Sequence, residues 1–403
     1  MSEPSFTLAR LPHIELGAGR LALLPDTIAR HGRQVLLVTG RRSFRTTDRW
    51  PWLLAELEAR GVGIDELAVG GEPSPDLVDG AVARFGGSGI DVVAGIGGGS
   101  VLDAAKAIAG LLIPGNSVRD HLEGVGPELP YLGPAVPLVA VPTTAGTGSE
   151  ATKNAVLSER GPNGYKRSFR DERLVAAETI VDPDLLVGCP PELIAAHGMD
   201  AVTQLLESYV SRRAGPVTDP LALAGLEAAG NGLLAWHGGV VSGDAPEATA
   251  RSRVRMALAA LLSGVCLANA GLGVVHGIAS PLGALFPIPH GAACGAVLTA
   301  GVEANIAALE RRAHDGPALA RYATIGRLLA GLPAATSDNE ARHALVAELR
   351  RWTTELGVAG LSAFGVTERD IPAIVAGSRG SSMRTNPIEL TDEEIAEVIR
   401  ASL

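Results

Sequence analysis

His276 and His290 stand fourteen residues apart in the stretch Asn269 to Gly291, NAGLGVVHGIASPLGALFPIPHG, whose other residues are almost all small or apolar. A buried imidazole must find a partner for each ring nitrogen, and the usual partners are a carboxylate, a backbone carbonyl or a metal ion. One such histidine reads as a satisfied core residue; two invite a shared ion. Further ligands are available upstream in His197 to Glu207, HGMDAVTQLLE, where Asp200 and Gln204 are at i and i+4. On a helix both side chains leave from one face and can meet a common target. The competing reading is a helix N-terminus with Asp200 in its first turn, where a carboxylate is favourable with no metal nearby.

Other stretches carry the marks of nucleotide recognition. Asp91 to Ile96, DVVAGI, has the composition of a buried strand; it runs into Gly97-Gly98-Gly99-Ser100, and Val101 to Leu112 follows as a helix. Such a unit lets the main chain approach a phosphate and aims helix N–H groups and the positive end of the helix dipole at it. The spacing matches neither a Walker A loop nor the GxGxxG fingerprint. Lys106, two turns into the helix, reads equally as a ligand, a solvated lysine or a packing lysine. After a strand at Pro137 to Val141, the run Pro142 to Glu150 offers the hydroxyls of Thr143, Thr144, Thr147 and Ser149 beside Gly146 and Gly148. That set can line a ribose and nicotinamide site; the plainer alternative is a Ser/Thr-rich turn. A third strand, QVLLVT at Gln34 to Thr39, ends at Gly40-Arg41-Arg42. An acidic residue at such a tip binds the adenosine ribose hydroxyls and repels a 2′-phosphate. None stands here and two arginines do, so NADP(H) is expected to be accepted at least as well as NAD(H).

The elements that must position these groups fall into two regimes. Strands and helices alternate to about residue 183, the pattern of a doubly wound α/β domain with ligands at the carboxyl ends of its strands. Beyond Pro190-Pro191 the stretches 191–211, 219–235, 246–268, 303–312, 316–331, 338–356 and 391–402 follow helical spacing, and Thr391-Asp392-Glu393-Glu394 is a capping box for the last. We therefore expect an α/β domain over residues 1–186 and a helical domain over 187–403, with the site in the cleft between them. With 403 residues, 46% of them hydrophobic, the chain can fill two cores. A net charge of −10 and the lack of a basic run argue against a nucleic-acid partner. Three widely spaced cysteines outside any CxxC suit a reducing cytoplasm. The N-terminus lacks the apolar core of a signal peptide, and no uninterrupted apolar run of about 18 residues occurs, so a soluble protein with no membrane partner is expected.

Four motifs together resemble the iron-containing, group III alcohol dehydrogenases nearly end to end: Gly97 to Lys106 (GGGSVLDAAK), Pro142 to Glu150, Gly198-Met199-Asp200-Ala201, and Asn269 to Gly291. The resemblance implies a Rossmann-like dinucleotide-binding α/β domain and an all-α domain holding a divalent metal, Fe²⁺ or Zn²⁺, an architecture shared with dehydroquinate synthases. It puts Gly97, Gly98 and Ser100 at the pyrophosphate, with Thr143, Thr144, Thr147, Asn154 and Lys166 along the rest of the dinucleotide; Asp103 in the glycine motif and Gly40 at the strand tip join the cofactor-binding set. In such proteins the metal is held by an Asp, a His four residues later and two His fourteen apart. Asp200, His276 and His290 match, and Gln204 stands at the second position. Ser280 replaces a histidine often credited with relaying a proton, and Cys294 replaces an Asn.

The activity implied is hydride transfer between a small alcohol or aldehyde and NAD(P)(H), with Asp200, His276 and His290 as catalytic and metal-binding residues and Gln204 as a loose fourth ligand or a hydrogen-bond donor to substrate or water. Three alternatives stand beside it. A maleylacetate reductase-like enzyme would need no metal, but its acidic substrate calls for cations and residues 269–291 contain no Arg or Lys. A dehydroquinate synthase-like lyase would likewise need basic residues near the metal. A nucleotide-binding protein without turnover is suggested by Gln204 and Ser280. The resemblance also implies a homo-oligomer, a dimer.

Overall fold

A computed structural model describes residues 6–159 and 164–403, and the chain divides into two compact units, Ala9–Gly188 and Cys189–Leu403, the second joined by residues 6–8. The start of the N-terminal stretch read above for an export signal lies outside the described residues.

The first unit is built on strands β1 (His13–Leu16), β2 (Gln34–Gly40), β3 (Gly63–Val69), β4 (Val92–Gly97), β5 (Leu138–Pro142) and β8 (Glu178–Val181), all parallel in the order β1-β8-β5-β4-β2-β3. Between β5 and β8 the chain forms a separate antiparallel pair, β6 (Asn154–Glu159) and β7 (Tyr165–Arg170). Helices α1 (Leu24–His31), α2 (Arg49–Ala59), α3 (Pro75–Phe85) and α4 (Gly99–Leu111) connect and cover the sheet. Both faces of the central strands are apolar, and alternate residues serve different helices. Leu36 and Val38 of β2 pack with Val78 and Val82 of α3 and with Leu102 and Ile108 of α4. Val35 and Leu37 pack on the other side with Leu24 and Ile28 of α1 and with Leu53 and Leu57 of α2. Sandwiching between helices is what makes β2, β4 and β5 read as unbroken apolar runs.

Strand β3 lies on one side of β2 and β4 on the other, so the winding reverses between β2 and β4. A doubly wound sheet binds its ligand at the carboxyl ends of the strands at such a reversal. Thr39 pairs with Ile96 there, which sets the strand ends Gly40 and Gly97 side by side.

The second unit contains ten helices among the described residues: α5 (Pro191–Val210), α6 (Thr218–Gly230), α7 (Leu233–Val241), α8 (Pro246–Ala270), α9 (Val274–Leu285), α10 (His290–Arg312), α11 (Pro317–Leu329), α12 (Asp338–Glu355), α13 (Ile371–Gly377) and α14 (Asp392–Ala401). The α/β plus all-α division expected from periodicity is the observed one. The reciprocal capping box at Thr391 and Glu394 is present. The single helix expected over 219–235 is instead two: the chain breaks at Asn231-Gly232, where Asn231 Nδ2 donates back to the Glu227 carbonyl, and a Cβ on Gly232 would lie 2.9 Å from the Ala228 carbonyl oxygen. Helix α10 begins thirteen residues before the expected 303, and α9 and α13 were not anticipated. Helices α8 and α10 are long and apolar enough to cross a membrane by composition, and 67% and 56% of their apolar windows are buried within the protein.

Candidate active site

At the carboxyl end of β4 the glycine turn meets the loop that follows β5. Thr143 N donates to the Gly97 carbonyl, 3.0 Å. A Cβ on Gly98 would stand 3.1 Å from Thr144 Cγ2, and one on Gly99 would stand 2.8 Å from Thr147 Cγ2. The glycines are therefore required by contact with the threonines. Helix α4 opens at Gly98 with no side-chain cap, which leaves its first N–H groups for an anion. Gly98, Ser100, Thr143, Thr144 and Thr147 are partly exposed, whereas Gly97, Ala145, Gly146 and Ser149 are buried. A glycine-lined, uncapped helix N-terminus beside partly exposed hydroxyls suits a dinucleotide pyrophosphate.

Three of the expected cofactor residues are engaged inside the protein. Asp103 Oδ1 accepts from Ser149 Oγ at 2.6 Å. Asn154 gives its backbone carbonyl to Lys106 Nζ, 2.6 Å, and Lys166 Nζ is paired with Glu72 Oε1, 2.6 Å. Lys106, left open by sequence, is fully buried: its ammonium donates to Ser149 O (2.8 Å), Ser149 Oγ (2.9 Å), Thr152 Oγ1 (3.0 Å) and Asn154 O, with Asp103 Oδ1 at 3.7 Å. It ties α4 to the loop after β5, fixing the two halves of the cradle together. Burial pulls the Lys106 pKa down against the opposing charges of Asp103 and Glu150. At the tip of β2, Gly40 is partly exposed, and Arg41 and Arg42 are exposed with no ion pair among the described residues. Arg45, by contrast, is spent on Glu66 Oε2 at 2.6 Å and lies over the Trp50 ring.

The helical unit brings its expected residues to one buried point. Asp200 and Gln204 lie on α5, His276 on the first turn of α9, and His290 at the start of α10. Asp200 Oδ1 is 3.2 Å from His276 Nε2 and 3.9 Å from His290 Nε2. Cys294, one turn after His290, places Sγ 3.7 Å from His276 Nε2 and 3.9 Å from His290 Nε2. The four ligand atoms lie within 4.8 Å of one another. Gln204 is adjacent, but its amide is committed: Nε2 donates to Asp200 Oδ1 at 3.1 Å and Oε1 accepts from Ser263 Oγ at 2.8 Å. Ser280 sits on α9, partly buried.

Glu207, one further turn along the same face of α5, orients the centre. Its Oε2 meets His276 Nδ1 at 2.7 Å, and its Oε1 accepts from Val275 N at 2.6 Å. Helix α9 has no local side-chain cap, so Glu207 caps it from a distance, together with Asn386 Oδ1 on Val274 N at 3.0 Å. The helix start and the ring orientation are thus set by one carboxylate. Burial would raise the Asp200 carboxyl, but the charge of His290 and the hydrogen bond from His276 outweigh it and hold the group well below its ordinary range. Burial likewise pushes His276 down, yet Cys294, Asp200 and Glu207 around it hold it well above the usual imidazole value.

A carboxylate oxygen, two imidazole nitrogens and a thiol converging on one point form the donor set of a late first-row divalent ion. The outer carboxylate fixing the tautomer of His276 is the usual companion of such a ligand. These residues fit a metal. The sequence singled out Asp200, His276, His290 and the glycine and threonine motifs, offered Ser149 only as one of four hydroxyls for a ribose and nicotinamide site, gave Glu207 and Ser263 no role, and showed Cys294 only as a departure from pattern. A signal for Glu207 was available: Asp200, Gln204 and Glu207 follow i, i+4, i+7 on one helical face.

Comparison with known proteins agrees with both halves. Residues 12–183 match the family described as Iron-containing alcohol dehydrogenase, and residues 194–403 match the Fe-containing alcohol dehydrogenase family, C-terminal. The chain is 34% identical over 352 residues to the NAD-dependent methanol dehydrogenase of Bacillus methanolicus, covering 85% of this chain and 86% of that one. It is 31% identical to the lactaldehyde reductase of Escherichia coli K12, covering 95% of each. A crystal structure of a 1,3-propanediol oxidoreductase superposes with a TM-score of 0.88 at 28% identity, covering 99% of this chain and 100% of that one. The chain belongs to the iron-containing alcohol dehydrogenase family.

Proposed function

We propose that this protein is an NAD(P)-dependent alcohol dehydrogenase or aldehyde reductase acting on a small alcohol or aldehyde. The observation that carries the proposal is the convergence of the buried Asp200 and His276 with the partly buried His290, and Glu207 behind His276. When bound, a divalent ion supplies Lewis acidity toward the substrate oxygen, and the dinucleotide supplies or accepts the hydride. Asp200 Oδ1 and the two histidine Nε2 atoms would hold the ion. With an ion bound, Glu207 would keep the one remaining proton of His276 on Nδ1 and leave the Nε2 lone pair to the ion. Gly97, Gly98 and Ser100 would hold the pyrophosphate, with Thr143, Thr144 and Thr147 beside it; the buried Lys106 keeps the two motifs in register.

The substrates in the names of the relatives, methanol, lactaldehyde and 1,3-propanediol, are small, which supports a small alcohol or aldehyde here. A maleylacetate-like acidic substrate is less well matched, since the side chains at the centre are Asp200, Glu207, Gln204, Ser263, Cys294 and two histidines, with no Lys or Arg among them. Arg41 and Arg42 beside Gly40, exposed and without an ion pair among the described residues, favour acceptance of NADP(H) at least as well as NAD(H). The reading includes a homodimer in the cytoplasm, a reducing setting that suits the free Cys189, Cys266 and Cys294.

Following nicotinamide absorbance with short aldehydes, short alcohols and maleylacetate, with and without chelator, tests the assignment. Chelator-sensitive turnover of an aldehyde or alcohol is expected. Chelator-insensitive reduction of maleylacetate, or dinucleotide binding with no turnover of any substrate, would overturn it.

A further inference from the structure

The Gln204 amide donates through Nε2 to Asp200 Oδ1, and its oxygen, the atom of the amide able to bind a metal, already accepts from Ser263 Oγ. Cys294 is turned toward the point where Asp200, His276 and His290 meet. It is fully buried, it follows His290 by four residues on α10, and both side chains therefore leave the same helical face. The separations carry the argument. Around a tetrahedral ion with metal–nitrogen and metal–oxygen bonds near 2.0–2.1 Å and a metal–sulfur bond near 2.3 Å, neighbouring ligand atoms stand about 3.4 Å (N to O) and about 3.6 Å (N to S) apart. Here Asp200 Oδ1 lies 3.2 and 3.9 Å from the two histidine nitrogens, and Cys294 Sγ lies 3.7 and 3.9 Å from the same two. These four of the six donor separations lie within about 0.5 Å of the edges of a coordination tetrahedron, and all six are within 4.8 Å.

We propose that Cys294 Sγ is a ligand of the divalent ion, restoring the donor count that Gln204 does not supply, and that the resulting carboxylate, imidazole, imidazole and thiolate set selects a thiophilic ion such as Zn²⁺ or Co²⁺ over Fe²⁺. This rests on the reading above that the centre binds a metal. On binding, the Cys294 S–H bond breaks, a sulfur–metal bond forms and the proton passes to solvent, so one thiolate and one carboxylate together balance the two positive charges of the ion. A soft sulfur donor moves the preference along the divalent series away from iron.

Cobalt is the direct probe, because a thiolate bound to Co²⁺ gives an intense near-ultraviolet charge-transfer band that carboxylate and imidazole ligands do not. Full-length protein freed of metal would be titrated with Co²⁺ as wild type, Cys294→Ala and Cys294→Ser, with circular dichroism to verify folding and with competition between Zn²⁺ and Fe²⁺ read by elemental analysis. The expected result is one Co²⁺ per chain with the sulfur band in the wild type. In both variants the band is lost, affinity falls roughly tenfold or more, and the preference for Zn²⁺ over Fe²⁺ narrows. Wild-type protein that binds Co²⁺ stoichiometrically without the band overturns the role of Cys294 and leaves the metal site standing. Failure of the wild type to bind any Co²⁺ or Zn²⁺ overturns the metal reading itself, and the Cys294 assignment with it. The wild-type spectrum decides the question even where a variant fails to fold.

Discussion

Glu207 and His276 are joined at 2.7 Å, and the second oxygen of the same carboxylate holds the backbone N–H of Val275, the residue just before His276. Ring orientation and helix start are therefore one structural fact. Glu207→Gln can still accept from Val275 N, but its NH₂ would face Nδ1 and push the imidazole proton to Nε2, the atom aimed at Asp200. Metal affinity should fall by about 10- to 100-fold with the fold intact and dinucleotide affinity unchanged. Metal titration alongside a dinucleotide binding curve checks this; equal losses in both would point to general damage.

Lys106 should behave as a staple for the cofactor cradle. Replacing it by Met leaves the carbonyls of Ser149 and Asn154 and the Asp103 carboxylate without their cation in a buried setting. Removing one member of such a buried pair costs roughly 3–5 kcal/mol. Urea unfolding should show that loss, and dinucleotide affinity should fall with it, because the loop carrying Thr143, Thr144 and Thr147 is no longer tied to α4. A Lys106→Met protein of unchanged stability would contradict the assignment.

The contact between Gly99 and Thr147 can be tested by a double substitution. Gly99→Ala places a Cβ 2.8 Å from Thr147 Cγ2 and 2.9 Å from its Oγ1. Dinucleotide affinity and stability should both drop, and Thr147→Ala in the same chain should recover the stability by removing the clash. Losses that simply add would show that the two residues do not meet.

Glu150 gives a pH signature. Burial lifts its carboxyl from 4.5 to about 7, against the pull of its own backbone N–H and of Lys106. Between those values the folded chain keeps a proton that the unfolded chain has released, so this group's contribution is present below about 4.5 and is lost as pH rises through about 7. The slope is at most about 1.4 kcal/mol per pH unit for one proton. Thermal unfolding of wild type and Glu150→Gln across this window should show the wild type losing stability relative to the variant as pH rises. Parallel curves would contradict the account.

What the sequence revealed followed from how each segment is buried. Strands β2, β4 and β5 are covered on both faces and appear as apolar runs, whereas β3, an edge strand reading GIDELAV, is largely open to solvent and has no such run. Helix α9 is buried through most of its length, with Gly277 and Pro281 inside it, so it lacks a polar face to mark its period. The first half of α10, HGAACGAVLTAGV, is composed of small residues and hides its start for the same reason. At the site, Asp200, His276 and His290 were legible because their residue types and spacings are unusual for an apolar setting. The pairing of Glu207 with His276, sixty-nine residues away, depends on how α5 and α9 pack, which local spacing does not encode.

The central claim is that turnover requires a divalent ion at Asp200, His276 and His290. Activity of chelator-treated protein, followed by nicotinamide absorbance as Zn²⁺ or Fe²⁺ is added back, tests it most directly, with Asp200→Asn measured in parallel. The account predicts that wild-type activity rises from baseline to a plateau at one ion per chain and that the variant does not respond. Full activity in protein shown by elemental analysis to hold no metal would contradict it.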